Sequence, residues 1–325
     1  MNILVTGGAG YIGSHFVNKL KNKDGVNIFV IDNFSQGRNN IISSDNIRYY
    51  ELDLINKESL SGIFKENNID IVAHFAALAS VPDSVSRPAE YYANNLIGGL
   101  NLLNAMIENN VDKIIFSSSA SVYGEPTMEE IKEDHPKNPT NPYGYTKLVF
   151  ENMLKDYQRA YGIKSISFRY FCAAGCDESG VIGEFHNPET HVIPSIINTI
   201  LGKRKDFCVY GNDYPTKDGS GIRDYIHVND IADAHILAMD KLFAGTDLCQ
   251  FYNLGIGKGF SVLDLIGAAQ VLSGKKLNYL IKPRRPGDPS KLIADAFSAQ
   301  QELNWKPKYT TIESIMATAY NFLIK

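Results

Sequence analysis

Short apolar, β-branched runs recur through the first half of the chain at 3–6, 27–31, 47–51, 69–74, 113–117 and 164–170, with longer helix-patterned stretches between them. Each run predicts a strand, and each interval has the length of a crossover helix. Within the runs, the segments ILV, IFVI, IIF and ISF are apolar on consecutive positions instead of alternating, which is the pattern of strands buried on both faces. The fold class expected is therefore α/β, a doubly wound parallel sheet covered by helices on both sides. The rhythm breaks after Tyr170, where Gly, Pro, Asn and Asp become frequent over 172–221. Strands resume at 224–228 and 251–254, a helix is predicted over 261–273, and a proline-rich link at 283–289 leads to two further helices. The chain is expected to leave the sheet and return to it. Residues 1–171 and 222–256 would form the sheet domain, and 172–221 with 257–325 a smaller mixed α/β domain.

Composition narrows the possible partners. A chain of 325 residues with 44% hydrophobic content can bury a large core. With 32 basic against 36 acidic residues, there is no charge excess to favour nucleic acid or an anionic membrane, so a small molecule is the expected partner. The N-terminal residues run directly into a strand pattern without the features of a signal peptide, and no membrane span is expected. Cys172, Cys176, Cys208 and Cys249 include no Cys-x-x-Cys pair and read as reduced thiols of a cytoplasmic protein. His186 and His191 are five apart, without a cysteine or second carboxylate at ligand spacing, so no metal is expected.

The first candidate site follows the first strand. Gly7, Gly10 and Gly13 are spaced three apart where strand gives way to helix. Such a turn needs backbone without Cβ for a tight bend, for close approach of a pyrophosphate and for helix-on-strand contact, and the helix N-terminus then faces the phosphates. Asp32 ends the second strand about twenty residues on, where a carboxylate accepts from an adenosine ribose diol and repels a 2′-phosphate. The pattern is that of a Rossmann-type sheet binding NAD rather than NADP. Asp53 and Leu54, after the third strand, would hold the adenine, with a helix-capping role for Asp53 equally open.

The second candidate site pairs Tyr143 with Lys147. Four residues apart on a helix opened by Pro142, they share a face, so the ammonium can stand near the phenol. A cation there, with the positive nicotinamide ring, would lower the phenol from about 10 towards neutrality and let it act as base and then acid. Ser119, ending a strand, can hydrogen-bond the same substrate oxygen.

Together, the glycine turn, the run Ser117-Ser118-Ser119-Ala120-Ser121-Val122-Tyr123-Gly124 and Tyr143-Gly144-Tyr145-Thr146-Lys147 resemble the extended short-chain dehydrogenase/reductase family. Within it, 222–228 and 283–288 resemble UDP-glucose 4-epimerases, and the resemblance spans essentially the whole chain. It implies a reaction in which Tyr143 takes the proton of the sugar 4-hydroxyl while NAD takes hydride from C4. Return of the hydride to the other face of the 4-keto sugar then inverts that carbon. Related dehydratases and decarboxylases carry acidic residues after the serine or threonine; Ala120 and Ser121 stand there here, which favours epimerisation. The resemblance also places Tyr11, Ile12, Asn33, Phe75, Ala76, Ala77, Ser117 and Tyr170 along the dinucleotide, and Asn95 at the nicotinamide or hexose. It puts Arg223 and Arg285 on the UDP-sugar diphosphate, Asp288 on the uridine ribose, and His191 and Tyr210 beside the nucleotide, with a packing role equally open for His191, Tyr210 and Asn95. Cys172 departs from the pattern, which has asparagine at this diphosphate contact. Leu292 stands at the wall beside the sugar C2 substituent, or in the core. The implied substrate is UDP-glucose/UDP-galactose, with UDP-GlcNAc/UDP-GalNAc left open, and the implied assembly is a homodimer through helices near 88–109 and 143–160. The rival readings are a 4-epimerase of a UDP-uronic acid or UDP-pentose, and a non-catalytic NAD-binding sensor.

Overall fold

The computed structural model describes residues 1–37, 42–186, 188–245, 249–285 and 288–325. In chain order its strands are β1 (Asn2–Thr6), β2 (Asn27–Asp32), β3 (Ile47–Glu51), β4 (Ile71–His74), β5 (Lys113–Ser119), β6 (Lys164–Tyr170), β7 (Cys172–Ala174), β8 (Phe207–Tyr210), β9 (Ile222–His227), β10 (Cys249–Leu254), β11 (Gly259–Ser261), β12 (Tyr279–Lys282) and β13 (Lys291–Leu292). The α-helices are α1 (Tyr11–Leu20), α2 (Lys57–Asn67), α3 (Val81–Ser86), α4 (Pro88–Tyr92), α5 (Gly98–Glu108), α6 (Pro142–Tyr161), α7 (Val192–Ile200), α8 (Val228–Phe243), α9 (Val262–Ser273), α10 (Phe297–Glu302) and α11 (Ile312–Leu323). Two compact units result: Met1–Gly124 with Pro136–Arg169 and Ala232–Tyr252, and Glu125–His135 with Tyr170–Ile231 and Asn253–Lys325.

A seven-stranded sheet in the order β10-β6-β5-β4-β1-β2-β3 forms the frame of the first unit. The pairings β1–β2, β1–β4, β2–β3 and β4–β5 are parallel. Strand order reverses at β1, between β2 and β4, and in doubly wound sheets that switch point opens the ligand crevice at the carboxyl ends of the strands. Leu4, Ile31, Leu102, Met106, Phe116, Phe150 and Leu154 meet in one apolar cluster, where burial of each large side chain contributes about 1.5–3 kcal/mol. Gly99 allows the close contact of α5 with α6, since a Cβ there would stand 2.5 Å from the Phe150 ring.

The second unit is built around β9, which pairs in parallel with β7 and β13 and antiparallel with β11, while β8 and β12 form a separate parallel pair. Ile196, Ile197, Phe207, Leu265, Ile315 and Met316 form its core, contributed by α7, β8, α9 and α11. A capping box between Ser261 and Asp264 starts α9.

The segment after β4 differs from its prediction, and α7, β8 and β12 in the second unit were not predicted. The single helix expected over 88–109 is divided into α4, a π-helical turn at Ala93–Ile97 and α5. The wider turn is held by Asn95, whose amide accepts from Leu78 N at 2.9 Å and donates to Leu78 O at 3.1 Å and Thr146 Oγ1 at 3.0 Å. Helical periodicity does not reveal such a bulge, because its support comes from residues distant in sequence. Of the motif residues, Asn187, Pro286 and Gly287 lie outside the described residues.

Candidate active site

At the end of β1, Gly7 has φ +71°, and a Cβ on it would stand 2.5 Å from Ala76 N. A Cβ on Gly13 would stand 2.9 Å from Gly8 Cα, so the helix could not sit so close to the turn. Gly10 is the N-cap of α1 and makes no side-chain cap bond, and the first turn of that helix has no acidic residue. The space a Gly10 Cβ would fill holds only Gly7 O, at 3.3 Å. Helix N–H groups, partial positive charge and open space thus coincide where a pyrophosphate would lie.

The crevice above these strand ends is lined by Gly7, Gly10, Asp32, Asn33, Asp53, Leu54, Phe75, Ala76 and Ala77, all expected from sequence. Asp32 Oδ2 accepts from Ala9 N at 3.0 Å and Oδ1 from Phe34 N at 2.9 Å. Burial raises its pKa against these two bonds, and its other lone pairs remain suited to a ribose diol. Asp53 Oδ1 accepts from Ile55 N at 3.0 Å and Oδ2 from Asn33 Nδ2 at 3.0 Å. The cap of α2 is Asn56, not Asp53. The glycine cradle, the helix terminus and the ribose acceptor fit a dinucleotide such as NAD.

Asn94, unremarked in the sequence, lines the crevice, whereas Asn95 is buried behind it on the bonds described above. Those bonds are the packing role left open for it by the sequence. Periodicity could not separate the two, because the π turn decides which asparagine faces inward.

The catalytic candidates come together on one face of α6. Tyr143 shares a side-chain hydrogen bond with Ser119. Lys147 Nζ donates to Ser117 O at 2.6 Å and stands 5.7 Å from the Tyr143 ring centroid. Burial pushes the Tyr143 phenol up to about 12, against the Ser119 bond. Burial also pushes Lys147 down to about 7, opposed by Glu151. With Lys147 Nζ bonded to Ser117 O, burial outweighs the Ser119 bond at the phenol, and the lowering expected from Lys147 also requires the positive nicotinamide ring. His74, buried beside Lys147 and 2.7 Å from Thr6 Oγ1, is pushed down to about 3 by burial and by Lys147, so it is neutral.

The sequence reading missed the layer beneath. Glu151, one turn beyond Lys147, is fully buried and bonds Arg169 through Nε at 2.8 Å and Nη2 at 2.7 Å. Ser118 Oγ donates to Glu151 Oε1 at 2.6 Å, and Arg169 Nη1 donates to Tyr123 Oη at 2.8 Å. Tyr143, Lys147 and Glu151 thus hold Ser119, Ser117 and Ser118, three successive residues of β5. The extended spacing Tyr-x-x-x-Lys-x-x-x-Glu was the available signal. The other catalytic neighbour is Thr146, which donates to Tyr143 O at 2.7 Å and accepts from Asn95.

In the second unit Cys172 pairs with Tyr225 and Leu292 with Arg223 across neighbouring strands. Burial pushes the Cys172 thiol up to about 11, with Arg223 acting against it and Asp224 and Asp288 reinforcing it. Arg223, Asp288 and Cys172 therefore share one neighbourhood, and the thiol carries no charge near neutrality. Arg285 stacks on Tyr210 at 4.3 Å from the ring centroid and faces Asp288 at 3.7 Å. Leu292 is half-buried rather than in the core. Tyr170 ends β6 and is buried, and His191 is the N-cap of α7. Beside His191 stand Glu184, His186 and Glu189. Burial opposes protonation of His186, yet Glu184 and Glu189 push it up to about 9.

Comparison with known proteins agrees with this geometry. The chain belongs to the NAD dependent epimerase/dehydratase family, whose model matches residues 3–255. It is 47% identical over 322 residues to a UDP-glucose 4-epimerase of Halalkalibacterium halodurans, covering 99% of this chain and 95% of the relative. A solved UDP-glucose 4-epimerase of Bifidobacterium longum, in complex with NAD+ and UDP, is 40% identical with a TM-score of 0.94, covering 100% of this chain and 98% of that one. The UDP-Glc/GlcNAc 4-epimerase of Campylobacter jejuni is 38% identical with a TM-score of 0.84, covering 99% and 98%.

Proposed function

We propose that the chain is an NAD-dependent UDP-glucose/UDP-galactose 4-epimerase. The observation that carries this reading is the Ser119, Tyr143 and Lys147 set, linked through Thr146 and Asn95 to Leu78 of the dinucleotide crevice, with no carboxylate at Ala120 or Ser121 to drive elimination. NAD, when bound, supplies reversible hydride exchange with sugar C4. With NAD bound, the positive ring would add to the Lys147 charge and favour Tyr143 as the phenolate, whose Oη takes the proton of the 4-hydroxyl and returns it. Ser119, already bonded to that phenol, holds the same sugar oxygen. Lys147 fixes the end of β5 through Ser117 and, when protonated, places a positive charge in the site.

In the second unit Arg223 and Arg285 take the diphosphate, Asp288 the uridine ribose, and Tyr210, His191 and Cys172 line the nucleotide. A thiol in place of the usual asparagine withholds one hydrogen bond from the diphosphate, and backbone N–H groups at 173–175 serve in its place. Leu292, half-buried and paired with Arg223, stands beside the C2 substituent, intermediate in size between a wall that excludes an N-acetyl group and one that admits it. The UDP-GlcNAc/UDP-GalNAc pair is therefore tested below through UDP-GlcNAc.

Assembly as a homodimer is supported by an exposed apolar stripe in the first unit: Tyr92, Ile97 and Leu100 along the helices from α4 to α5, and Tyr145 and Val149 on α6. Among the described residues no helix is long and apolar enough to cross a membrane. The four cysteines form no disulfide, which supports a reducing, cytoplasmic setting; a place in galactose metabolism rests on the proposed UDP-galactose substrate. The purified chain, incubated separately with UDP-glucose, UDP-galactose, UDP-GlcNAc and a UDP-pentose, should convert the first two to their C4 epimers on chromatographic separation. No epimer from any of them would end the proposal, and conversion of the pentose alone would move it to the rival substrate.

A further inference from the structure

Between β7 and α7, Glu184, His186, Glu189 and His191 each offer one donor atom, and the four atoms all lie within 4.8 Å of one another. Glu184 is the buried centre of the group. Its Oε1 contacts His191 Nδ1 directly and faces His186 Nδ1 at 3.5 Å, while His186 Nδ1 also faces Glu189 Oε2 at 3.7 Å. Separations of 3.5 and 3.7 Å exceed the range of about 2.7–3.2 Å for N–H···O bonds. They lie near the edge length of a small coordination polyhedron, since donors about 2.0–2.2 Å from a tetrahedral centre stand about 3.3–3.6 Å apart, whereas the Glu184–His191 contact is closer than such an edge. One carboxylate oxygen faces two imidazoles and one imidazole faces two carboxylates, so the four donors form one connected group. The rings stand at 77° with centroids 5.0 Å apart, so they approach by their edges.

We propose that these four side chains form a zinc site that anchors the segment leading into α7. Two imidazoles and two carboxylates are a donor set suited to zinc and poorly suited to calcium or magnesium, which take oxygen ligands. Two carboxylates with neutral imidazoles balance a divalent charge. With all four positions filled from the chain, the site is closed and structural rather than catalytic. The ligands follow Glu-x-His-x-x-Glu-x-His, a spacing of two, three and two residues. It escapes the usual metal patterns because the carboxylates lie between and before the histidines. The inference stands independently of the epimerase reading.

The full chain, loaded with NAD and purified without chelator, should contain one zinc per chain by elemental mass spectrometry. Stripping with a chelator should lower its thermal midpoint, and Zn²⁺ alone should restore it, binding more tightly as pH rises and the imidazoles deprotonate. His186→Ala and Glu189→Gln should each weaken zinc binding by about tenfold or more with NAD content unchanged. Cobalt should give the intense visible bands of a tetrahedral centre. Three results would overturn the site. The first is absence of zinc with no response of the midpoint to chelator or Zn²⁺, which would leave the group as imidazolium–carboxylate pairs. The second is zinc retained undiminished by the His186→Ala/Glu189→Gln double variant. The third is an octahedral cobalt spectrum.

Discussion

At the scale of single residues, the reading turns on one phenol. Tyr143→Phe removes the hydroxyl and keeps the ring, so NAD content and calorimetric UDP binding should persist while kcat falls by about 10²–10⁴-fold, the usual worth of a positioned acid–base group. Full activity in that variant would take Tyr143 out of the mechanism. Lys147 carries a pH signature of its own. Its folded value is lowered to about 7 from 10.5, so between those limits the unfolded chain binds the extra proton and stability rises with pH. Below about 7 both states are protonated and the burial penalty is constant; above 10.5 both are neutral and it vanishes. Lys147→Met should flatten that rise in denaturant titrations across the window, and an unchanged slope would show that the ammonium is better solvated than its surroundings imply. Leu292→Tyr should suppress turnover of N-acetylated sugars selectively, and an unaltered ratio of UDP-GlcNAc to UDP-glucose activity would remove Leu292 from that wall.

At the scale of elements, the catalytic helix is held by an ion pair the linear pattern barely advertised. Glu151 sits on the face of α6 that carries Tyr143 and Lys147, but Arg169 is on β6 and Tyr123 in the turn after β5. Removing one partner leaves the other charged and buried, at a cost of about 3–5 kcal/mol. Glu151→Gln should therefore show that loss in urea unfolding, and Glu151→Leu with Arg169→Met should recover much of it. If the double variant is no more stable than the single one, packing and not charge is what the pair supplies. The glycine turn was legible residue by residue because its need for Cβ-free backbone is local. The order of Asn94 and Asn95 was not, because a π turn pinned by Leu78 and Thr146 sets it.

At the scale of the whole molecule, the exposed stripe on α4 to α6 bears on assembly. Leu100 and Val149 are 39% and 38% exposed, and burying such a stripe against its copy would contribute about 25 cal/mol per Å² of apolar surface. The double change Leu100→Glu/Val149→Glu should convert a dimer to a monomer by light scattering while leaving NAD content intact. A variant dimer as stable as the parent would place the interface elsewhere. Alternation of apolar runs with helical intervals was enough to predict the parallel sheet, and the glycine and Tyr-x-x-x-Lys spacings were enough to predict the Cβ-free turn after β1 and the shared helix face of Tyr143 and Lys147. These are short-range statements about backbone and helix face, and chain order carries them. Tertiary structure alone decided which serine of β5 meets which residue of α6, where the Lys147 ammonium points, which asparagine enters the crevice, and that two histidines and two glutamates converge ahead of α7. Each depends on contacts between segments far apart in the chain, and on burial that sets the charge state of the groups brought together.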